Sequence, residues 1–323
     1  MIRVAAIGEC MLELQARGSA WHLGHAGDTF NTLWMMRAVL PPAAEADFVS
    51  AFGDDSFSAQ QCDFMAAQGI GTAASPRLPD QRPGLYAITL DAMGERSFSY
   101  WRSESAARRL ADDPALLRRS LNGRNMIHVS GITLAILTPE AGQNLRDELA
   151  RARADGALVA FDPNWRPSLW SDQETARKAM TELLEICDIA MPSWPDEGVL
   201  FGDATPAEAC RRLASLGIPE VALKQGADGV LICVKGAEPQ IIPAMSNVIP
   251  LDTTGAGDGF NGAYLAARLA GYPAPQAARI ANRLAAEVIE VYGALAAPEA
   301  LRRCWIKAAA EMGSGGSDPF GAS

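Results

Sequence analysis

The feature that most constrains the fold is a repeated succession of short apolar runs and longer helix-like segments. The run at residues 4–8 precedes a helical pattern at 29–40, for which Asp28 is the expected N-cap. The run at 47–53 precedes a second helical pattern at 56–68, and the succession resumes in the middle of the chain. Strands that alternate with helices form a mostly parallel sheet with helices on both faces. The sequence therefore predicts an α/β fold whose ligands bind beyond the carboxyl ends of its strands.

One segment breaks this succession. Residues 85–91 and 97–102 alternate in character and are separated by a short turn-forming stretch. This pattern predicts an antiparallel hairpin, and a hairpin inserted in a βα series often lies outside the main sheet as a flap or lid.

The composition narrows the classes of function. The 323 residues include 38 acidic and 28 basic side chains, and the net charge of −10 argues against nucleic-acid binding, which needs a basic surface. The six cysteines are scattered and the three histidines are dispersed, so we expect free thiols in the cytoplasm and no protein metal cluster. We expect no membrane span and no signal peptide, because no apolar run has the required length.

A glycine-rich run, DTTGAGDGFNG at 252–262, is the strongest candidate for chemistry. It lacks the third glycine of the dinucleotide fingerprint and the lysine of a P-loop. The helical pattern that follows places the N–H groups of Gly255, Ala256 and Gly257 at a helix N-terminus, which favours an anion. Asp258 would then lie where a carboxylate can accept the proton of a hydroxyl that attacks phosphorus. The alternative is a capping aspartate in a tight turn.

The run DTTGAGDGFNGAY resembles the C-terminal signature of the ribokinase-like (PfkB) sugar kinases, and AGDTFN resembles a second motif of that family. The two motifs stand in the expected order and separation. Further segments are most similar to the 2-keto-3-deoxygluconate kinases within the family: IGECMLEL, RPGLYAI, GERSFSYWR, SGITLAIL and DPNWRPSLW. The resemblance covers Val4 to about Tyr292.

This resemblance implies a ribokinase-like three-layer α/β/α sandwich. The expected parts are a single kinase domain at 1–312, a small β lid built from about 10–26 and 83–104, and a flexible tail at 313–323. The implied reaction is ATP-dependent phosphorylation of 2-keto-3-deoxygluconate, with Asp258 as general base and Mg²⁺ held mainly by ATP phosphates and water. A cytoplasmic homo-oligomer, a dimer or larger, is expected.

The resemblance also assigns individual residues. The sugar acid would contact Gly27, Asn31, Tyr86, Tyr100, Arg102, Arg166 and Asp258. ATP would contact Asn164, Arg166, Lys224, Gly226, Gly229, Gly255, Gly257 and Asn282. The catalytic group would consist of Asp258 with Gly255, Ala256 and Gly257.

The residues of the hairpin allow an independent argument about the substrate. Tyr100 and Arg102 are two apart and are expected on the same face of their strand, with Tyr86 on the partner strand. An arginine flanked by tyrosines suits a carboxylate-bearing sugar, since the guanidinium donates two parallel hydrogen bonds. The alternative is that these aromatic residues only pack the hairpin.

Some features leave alternatives open. Many relatives carry an N-x-x-E motif that organises Mg²⁺, and here Asp196 stands in place of the glutamate. Some relatives use a monovalent cation near the equivalent of Asp252. The substrate alternatives are fructose, 2-keto-3-deoxygalactonate, 5-dehydro-2-deoxygluconate or a nucleoside. A non-catalytic sugar or nucleotide sensor on the same fold is the alternative of a different class.

Overall fold

The computed structural model describes residues 1–17, 20–90, 96–312 and 320. Its strands are β1 Arg3–Ile7, β2 Met11–Arg17, β3 Ala20–Ala26, β4 Glu45–Val49, β5 Phe52–Gly53, β6 Ile70–Gly71, β7 Arg77–Leu78, β8 Leu85–Leu90, β9 Arg96–Trp101, β10 Met126–Ser130, β11 Leu158–Asp162, β12 Ile189–Ala190, β13 Glu220–Lys224, β14 Val230–Val234 and β15 Gln240–Ile242. Its α-helices are α1 Asp28–Val39, α2 Ser56–Ala67, α3 Pro114–Leu121, α4 Gly131–Ile136, α5 Pro139–Ala154, α6 Gln173–Leu184, α7 Trp194–Phe201, α8 Pro206–Ser215, α9 Ala256–Leu269, α10 Ala274–Ile289 and α11 Pro298–Glu311.

Nine of these strands form the main sheet, in the order β15-β14-β13-β12-β11-β10-β1-β4-β6. All neighbours from β13 to β6 are parallel, and β14 and β15 are antiparallel additions at one edge. The predicted mostly parallel sheet is confirmed. Because parallel strands end at the same edge, the segments that follow β1, β10 and β11 come together there.

Helices cover both faces of the main sheet. Successive side chains of a strand point to opposite faces, and in β1 Val4 and Ala6 join one apolar cluster while Ala5 and Ile7 join the other. The first cluster packs against α1, α9, α10 and α11, and the second against the helices from α3 to α8. The predicted three-layer sandwich is therefore present. No helix within the described ranges is long and apolar enough to cross a membrane.

A second sheet of four strands, which we call the small sheet, has the order β3-β2-β8-β9. It contains the predicted hairpin, and its register places Tyr86 directly opposite Tyr100. Residues 91–95, which join β8 to β9, lie outside the described residues, as does nearly all of the tail predicted at 313–323.

The structure corrects two local predictions. Helix α1 has Gly27, not Asp28, as its N-cap. A Cβ on Gly27 would lie 2.0 Å from the carbonyl oxygen of Glu9, so the close approach of these two backbones requires glycine. The apolar run at 47–53 is also not one strand, because it is divided between β4 of the main sheet and β5, which pairs with β7.

Candidate active site

A cavity of about 530 Å³ lies at the carboxyl ends of the parallel strands. The first turns of α1 and α9, the segment after β11 and one face of the small sheet form its wall. It brings together twelve of the residues predicted from the sequence: Gly27, Asn31, Tyr86, Tyr100, Asn164, Arg166, Lys224, Gly226, Gly255, Ala256, Gly257 and Asp258. Three predicted residues, Arg102, Gly229 and Asn282, do not line this cavity.

The turn before α9 depends on one glycine. Gly255 is the N-cap of α9 and has a left-handed backbone with φ of 76°. A Cβ there would lie 2.6 Å from the Cβ of Ala294, so both the backbone conformation and the available space exclude a side chain. The N–H of Ala256 donates to the carbonyl of Thr253 at 3.3 Å, and this donor is thus already used within the turn. The N–H groups of Gly255 and Gly257 are the better candidates for an anion.

Asp258 lies in the first turn of α9 and is half-buried in the cavity wall. Its Oδ2 accepts a hydrogen bond of 2.8 Å from Nδ2 of Asn31. The orientation of that amide is fixed from the other side, since Oδ1 of Asn31 accepts from the N–H of Gly27. The three residues therefore form a chain that holds the carboxylate toward the cavity.

The environment of Asp258 makes it a stronger base than an ordinary aspartate. Burial raises its pKa from 3.8 to about 7, and the nearby Asp28 and Asp162 carboxylates add to this increase. The hydrogen bond from Asn31 and the charge of Lys224 oppose it. A carboxylate whose pKa lies near neutrality is well suited to accept a proton in a general-base reaction.

A network of polar side chains forms the floor beside Asp258. Nζ of Lys224 donates to Oδ2 of Asp162 at 2.6 Å, and Nδ2 of Asn261 donates to the same oxygen at 2.6 Å. Asn164 follows β11 with a left-handed φ of 33°, and its Nδ2 donates to Oδ2 of Asp28 at 2.8 Å. This network connects α1, β11, β13 and α9 across the cavity.

The small sheet presents aromatic rings to the cavity. The rings of Tyr86 and Tyr100 lie 5.8 Å apart, and Phe98 stacks on Tyr100 at 6.4 Å. The Tyr86 hydroxyl donates to Glu13 of β2, and burial together with this carboxylate raises the pKa of Tyr86. The inner face of the small sheet thus offers both ring surfaces and hydroxyl groups to a bound ligand.

Arg102 is placed differently from the expectation. Its guanidinium forms an ion pair with Glu9, and the Arg102 and Glu9 side chains are 11% and 1% exposed. Glu9 follows β1, and the pair therefore joins the main sheet to the end of β9. In this arrangement the charge of Arg102 is compensated within the protein and is not presented to the cavity.

Arg166 and Asp196, unlike Arg102, line the cavity. The Arg166 side chain is half exposed, and its Nη1 lies 3.8 Å from Oδ2 of Asp196. Burial raises the pKa of Asp196, and Arg166 opposes this shift. Arg166 is the arginine among the described residues that lines this cavity, and its positive charge can attract an anionic ligand.

The two glycines of the segment KQGADG have different roles. Gly226 lines the cavity, with φ of 61°. Gly229 does not, and a Cβ there would lie 2.1 Å from the Ile242 carbonyl, so it is needed for packing of the turn between β13 and β14. Asn282 of α10 donates to the Pro243 carbonyl at 2.8 Å and lines a separate cavity of about 280 Å³.

Several polar residues in or near the site were not predicted from the sequence. Asp162, Asp28 and Asn261 belong to the polar network at the cavity, and Glu9 pairs with Arg102, but the sequence predicts only an N-cap at Asp28. The signal that could have identified them is position at this edge of the sheet. Asp162 is the last residue of β11, Glu9 follows β1, Asp28 begins α1 and Asn261 lies in the second turn of α9. The pairing of Glu9 with Arg102 joins distant segments and has no local signal.

The described residues contain no group of three or more His, Cys, Asp or Glu side chains arranged to hold a metal ion. The charged partner of the Asp196 carboxylate is Arg166, at 3.8 Å. The Asp162 carboxylate, by contrast, already accepts hydrogen bonds from Lys224 and Asn261. A divalent cation that accompanies a phosphate ligand would fit here with phosphate and water oxygens as its main ligands.

Comparison with known proteins decides the family. The sequence profile described as pfkB family carbohydrate kinase matches residues 1–300. The chain belongs to this family. A 2-dehydro-3-deoxygluconokinase of Escherichia coli K12 is 38% identical over 306 residues, which are 93% of this chain and 98% of the relative. A protein of the same name from Dickeya dadantii is 38% identical over 305 residues, with 92% and 98% coverage.

The fold of this pfkB family kinase is shared by solved structures. A fructokinase of Vibrio cholerae O395, solved with fructose, ADP and a calcium ion, superimposes with a TM-score of 0.80. The two proteins are 24% identical, and the match covers 94% of this chain and 99% of the other. At this identity the likeness shows the ribokinase-like fold alone.

Proposed function

We propose that this kinase transfers the γ-phosphoryl group of ATP to the terminal hydroxyl of 2-keto-3-deoxygluconate, also called 2-dehydro-3-deoxygluconate. The observation that carries the proposal is the carboxylate of Asp258, which faces the cavity at the N-terminus of α9 with a pKa near 7. The names of the two relatives at 38% identity support the substrate. The products are ADP and 2-keto-3-deoxy-6-phosphogluconate.

In the proposed mechanism Asp258 accepts the proton of the attacking hydroxyl. The hydroxyl oxygen forms a bond to the γ-phosphorus, the bond from that phosphorus to the β,γ-bridging oxygen breaks, and ADP leaves with the electron pair. Asn31 holds the carboxylate in place through its 2.8 Å hydrogen bond. The N–H groups of Gly255 and Gly257 and the ammonium group of Lys224 stabilise negative charge on the phosphoryl group.

The nucleotide is proposed to extend along Asn164, Arg166, Lys224 and Gly226, with Asn282 beside its base. Mg²⁺, held by ATP phosphates and water near Asp196, would neutralise part of the phosphate charge. We also propose Asp252 as a neighbour of a monovalent cation. Asp252 is buried, and its carboxylate accepts from the N–H groups of Thr254 and Gly293, so this carboxylate helps to shape the turn before α9.

The sugar acid is proposed to contact Gly27, Asn31, Tyr86, Tyr100 and Arg166. Arg166 has charge available for the substrate carboxylate, since its distance to Asp196 is 3.8 Å. Arg102 remains a proposed contact, but to reach the substrate it would have to exchange Glu9 for the sugar carboxylate. We propose that the small sheet acts as the lid that excludes water, which otherwise competes as phosphoryl acceptor.

We propose that the kinase is a cytoplasmic homo-oligomer, a dimer or larger. The outer face of the small sheet supports the assembly, because its strand register places Trp21, Leu23 and Trp101 on one face with exposures of 52%, 45% and 62%. Apolar area of this kind on one sheet face is usually covered by a partner.

An ADP-release assay over a panel of acceptors tests the proposed function. The panel consists of 2-keto-3-deoxygluconate, 2-keto-3-deoxygalactonate, fructose, ribose and adenosine, each with ATP and Mg²⁺. We expect the highest kcat/KM with 2-keto-3-deoxygluconate. A preference for fructose would reject the sugar-acid proposal, and saturable binding of the sugar acids without ADP release would indicate a non-catalytic sensor.

A further inference from the structure

A second large cavity lies at the antiparallel edge of the main sheet. It measures about 780 Å³ and is bordered by α8, β13 and β14. Ile218, Val221 and Leu231 give it an apolar wall, and Cys210 and Cys233 both line it. Among the described residues, the two cavities have no lining residue in common. The two cysteines therefore have no part in the proposed phosphoryl transfer.

The two cysteines come from different elements and meet at this cavity. Cys210 belongs to the face of α8 that packs on β13 and is 5% exposed. Cys233 belongs to β14, opposite Val221 of β13, and is half-buried. Both side chains border the same cavity, and both are free thiols. The fold thus brings the pair to one cavity, and Cys233 is partly exposed to solvent.

The environment gives the two thiols unequal reactivity. Interaction with the Cys210 thiol lowers the pKa of Cys233, although burial opposes this shift. Interaction with the Cys233 thiol and burial both raise the pKa of Cys210. Because the thiolate is the nucleophile in thiol–disulfide exchange, this difference and the partial exposure of Cys233 favour Cys233 as the attacking thiol and Cys210 as the resolving thiol.

We propose that Cys210 and Cys233 are a reversible modification site, which forms an intramolecular disulfide on reaction with low-molecular-weight disulfides of the glutathione type. In the first step the Cys233 thiolate attacks one sulfur of the disulfide, whose S–S bond breaks and releases one thiolate. In the second step the Cys210 sulfur, after loss of its proton, attacks Sγ of Cys233 and releases the second thiol. Two electrons and two protons pass from the protein to one disulfide, which becomes two thiols.

Oxidised glutathione and the full-length purified chain test this proposal. We expect the number of free thiols, titrated after denaturation, to fall by two from the six of the reduced chain. Peptide mapping without reductant is expected to recover one cross-linked peptide pair, which contains Cys210 and Cys233 and is lost on reduction. Recovery of both cysteines unmodified, after a treatment that fully oxidises an added dithiol peptide, would overturn the proposal.

Two variants and a control separate the roles of the thiols. Cys210→Ser is expected to accumulate one glutathione per chain on Cys233, whereas Cys233→Ser leaves position 210 unmodified. Cys187→Ser removes a buried cysteine at another site and retains the cross-link. Thermal melting of each reduced variant checks that it is folded. A disulfide that joins other cysteines, such as Cys10 and Cys62, or equal labelling in Cys233→Ser would contradict the assignment.

Discussion

At the scale of single residues, the proposed chemistry depends on how Asp258 is held. Asn31 donates to its carboxylate, and the Asp28 and Asp162 carboxylates lie near enough to raise its pKa. The same environment that makes Asp258 a better base also makes its ionisation costly, because burial disfavours the charged form.

The pH dependence of the reaction follows from this pKa. The base must be ionised, and a pKa near 7 keeps Asp258 protonated in acid solution. We expect kcat/KM to fall about tenfold for each pH unit below 7, since the free enzyme must lose this proton before the reaction. A pH–rate profile with the sugar acid at low concentration measures it. An acid limb near pH 4, the value of an ordinary aspartate, would contradict the assignment.

The ion pair of Arg102 and Glu9 predicts an effect on stability. Both side chains are largely buried, and Arg102→Ala would leave the Glu9 carboxylate buried without its partner. We expect a loss of about 3–5 kcal/mol in the free energy of unfolding, and recovery of part of this loss when Glu9→Gln is added. Urea unfolding of the wild type, both single variants and the double variant measures the coupling. If the two substitutions changed the free energy of unfolding additively, the ion pair would have no coupling energy and the prediction would be wrong.

At the scale of elements, the start of α9 determines the geometry of the proposed anion site. Gly255→Ala would place a side chain on a left-handed backbone, 2.6 Å from Ala294. We expect a loss of at least about 1–2 kcal/mol, measured as a lower melting temperature. Gly257→Ala is the matched control, because its added Cβ meets only Nζ of Lys224, at 3.6 Å.

The Gly257→Ala control separates the role of the turn in the fold from its proposed role in phosphate binding. Gly257→Ala is expected to keep the wild-type melting temperature within a few degrees while it lowers kcat, since the methyl group hinders the approach of phosphate to the helix N-terminus. Equal melting temperatures for the two variants would contradict the proposed role of Gly255 in the fold.

Elements were more predictable than contacts. The alternation of strands and helices, the parallel sheet and the β8–β9 hairpin could be predicted, because periodicity and turn residues are local signals. The short strands β5 and β7 and the partner of Arg102 could not, because they depend on pairing between distant segments. Local packing also decided the N-cap of α1, where the approach of Glu9 excludes a side chain at Gly27.

The site residues also differ in how well the sequence predicted their positions. Residues within long sequence motifs, such as Asp258 and Asn31, lie at the cavity as the motifs imply. Gly229 and Asn282 come from a short pattern and from a position on a long helix, and they do not line this cavity. Asn282 lines a separate cavity, and the contact of both residues with ATP stays a prediction. A short motif specifies a local turn, whereas the direction of each side chain depends on its tertiary neighbours.

At the scale of the whole molecule, the small sheet is expected to mediate assembly. Trp21 and Trp101 lie on its outer face, and Tyr86 and Tyr100 lie on the opposite face at the cavity. We expect a dimer or larger species in sedimentation velocity, and a shift toward monomer for Trp101→Glu. A wild-type chain that sediments as a monomer at all concentrations would reject this assembly.

The whole molecule brings α1, β11, β13 and α9 together around the carboxylate of Asp258. The central claim is therefore that Asp258 is the general base of a sugar-acid kinase. The most direct measurement compares turnover and ligand binding of Asp258→Asn with those of the wild type. We predict retained binding of ATP and 2-keto-3-deoxygluconate with a loss of about 10²–10⁴ in kcat. Near-normal turnover of this variant would contradict the claim.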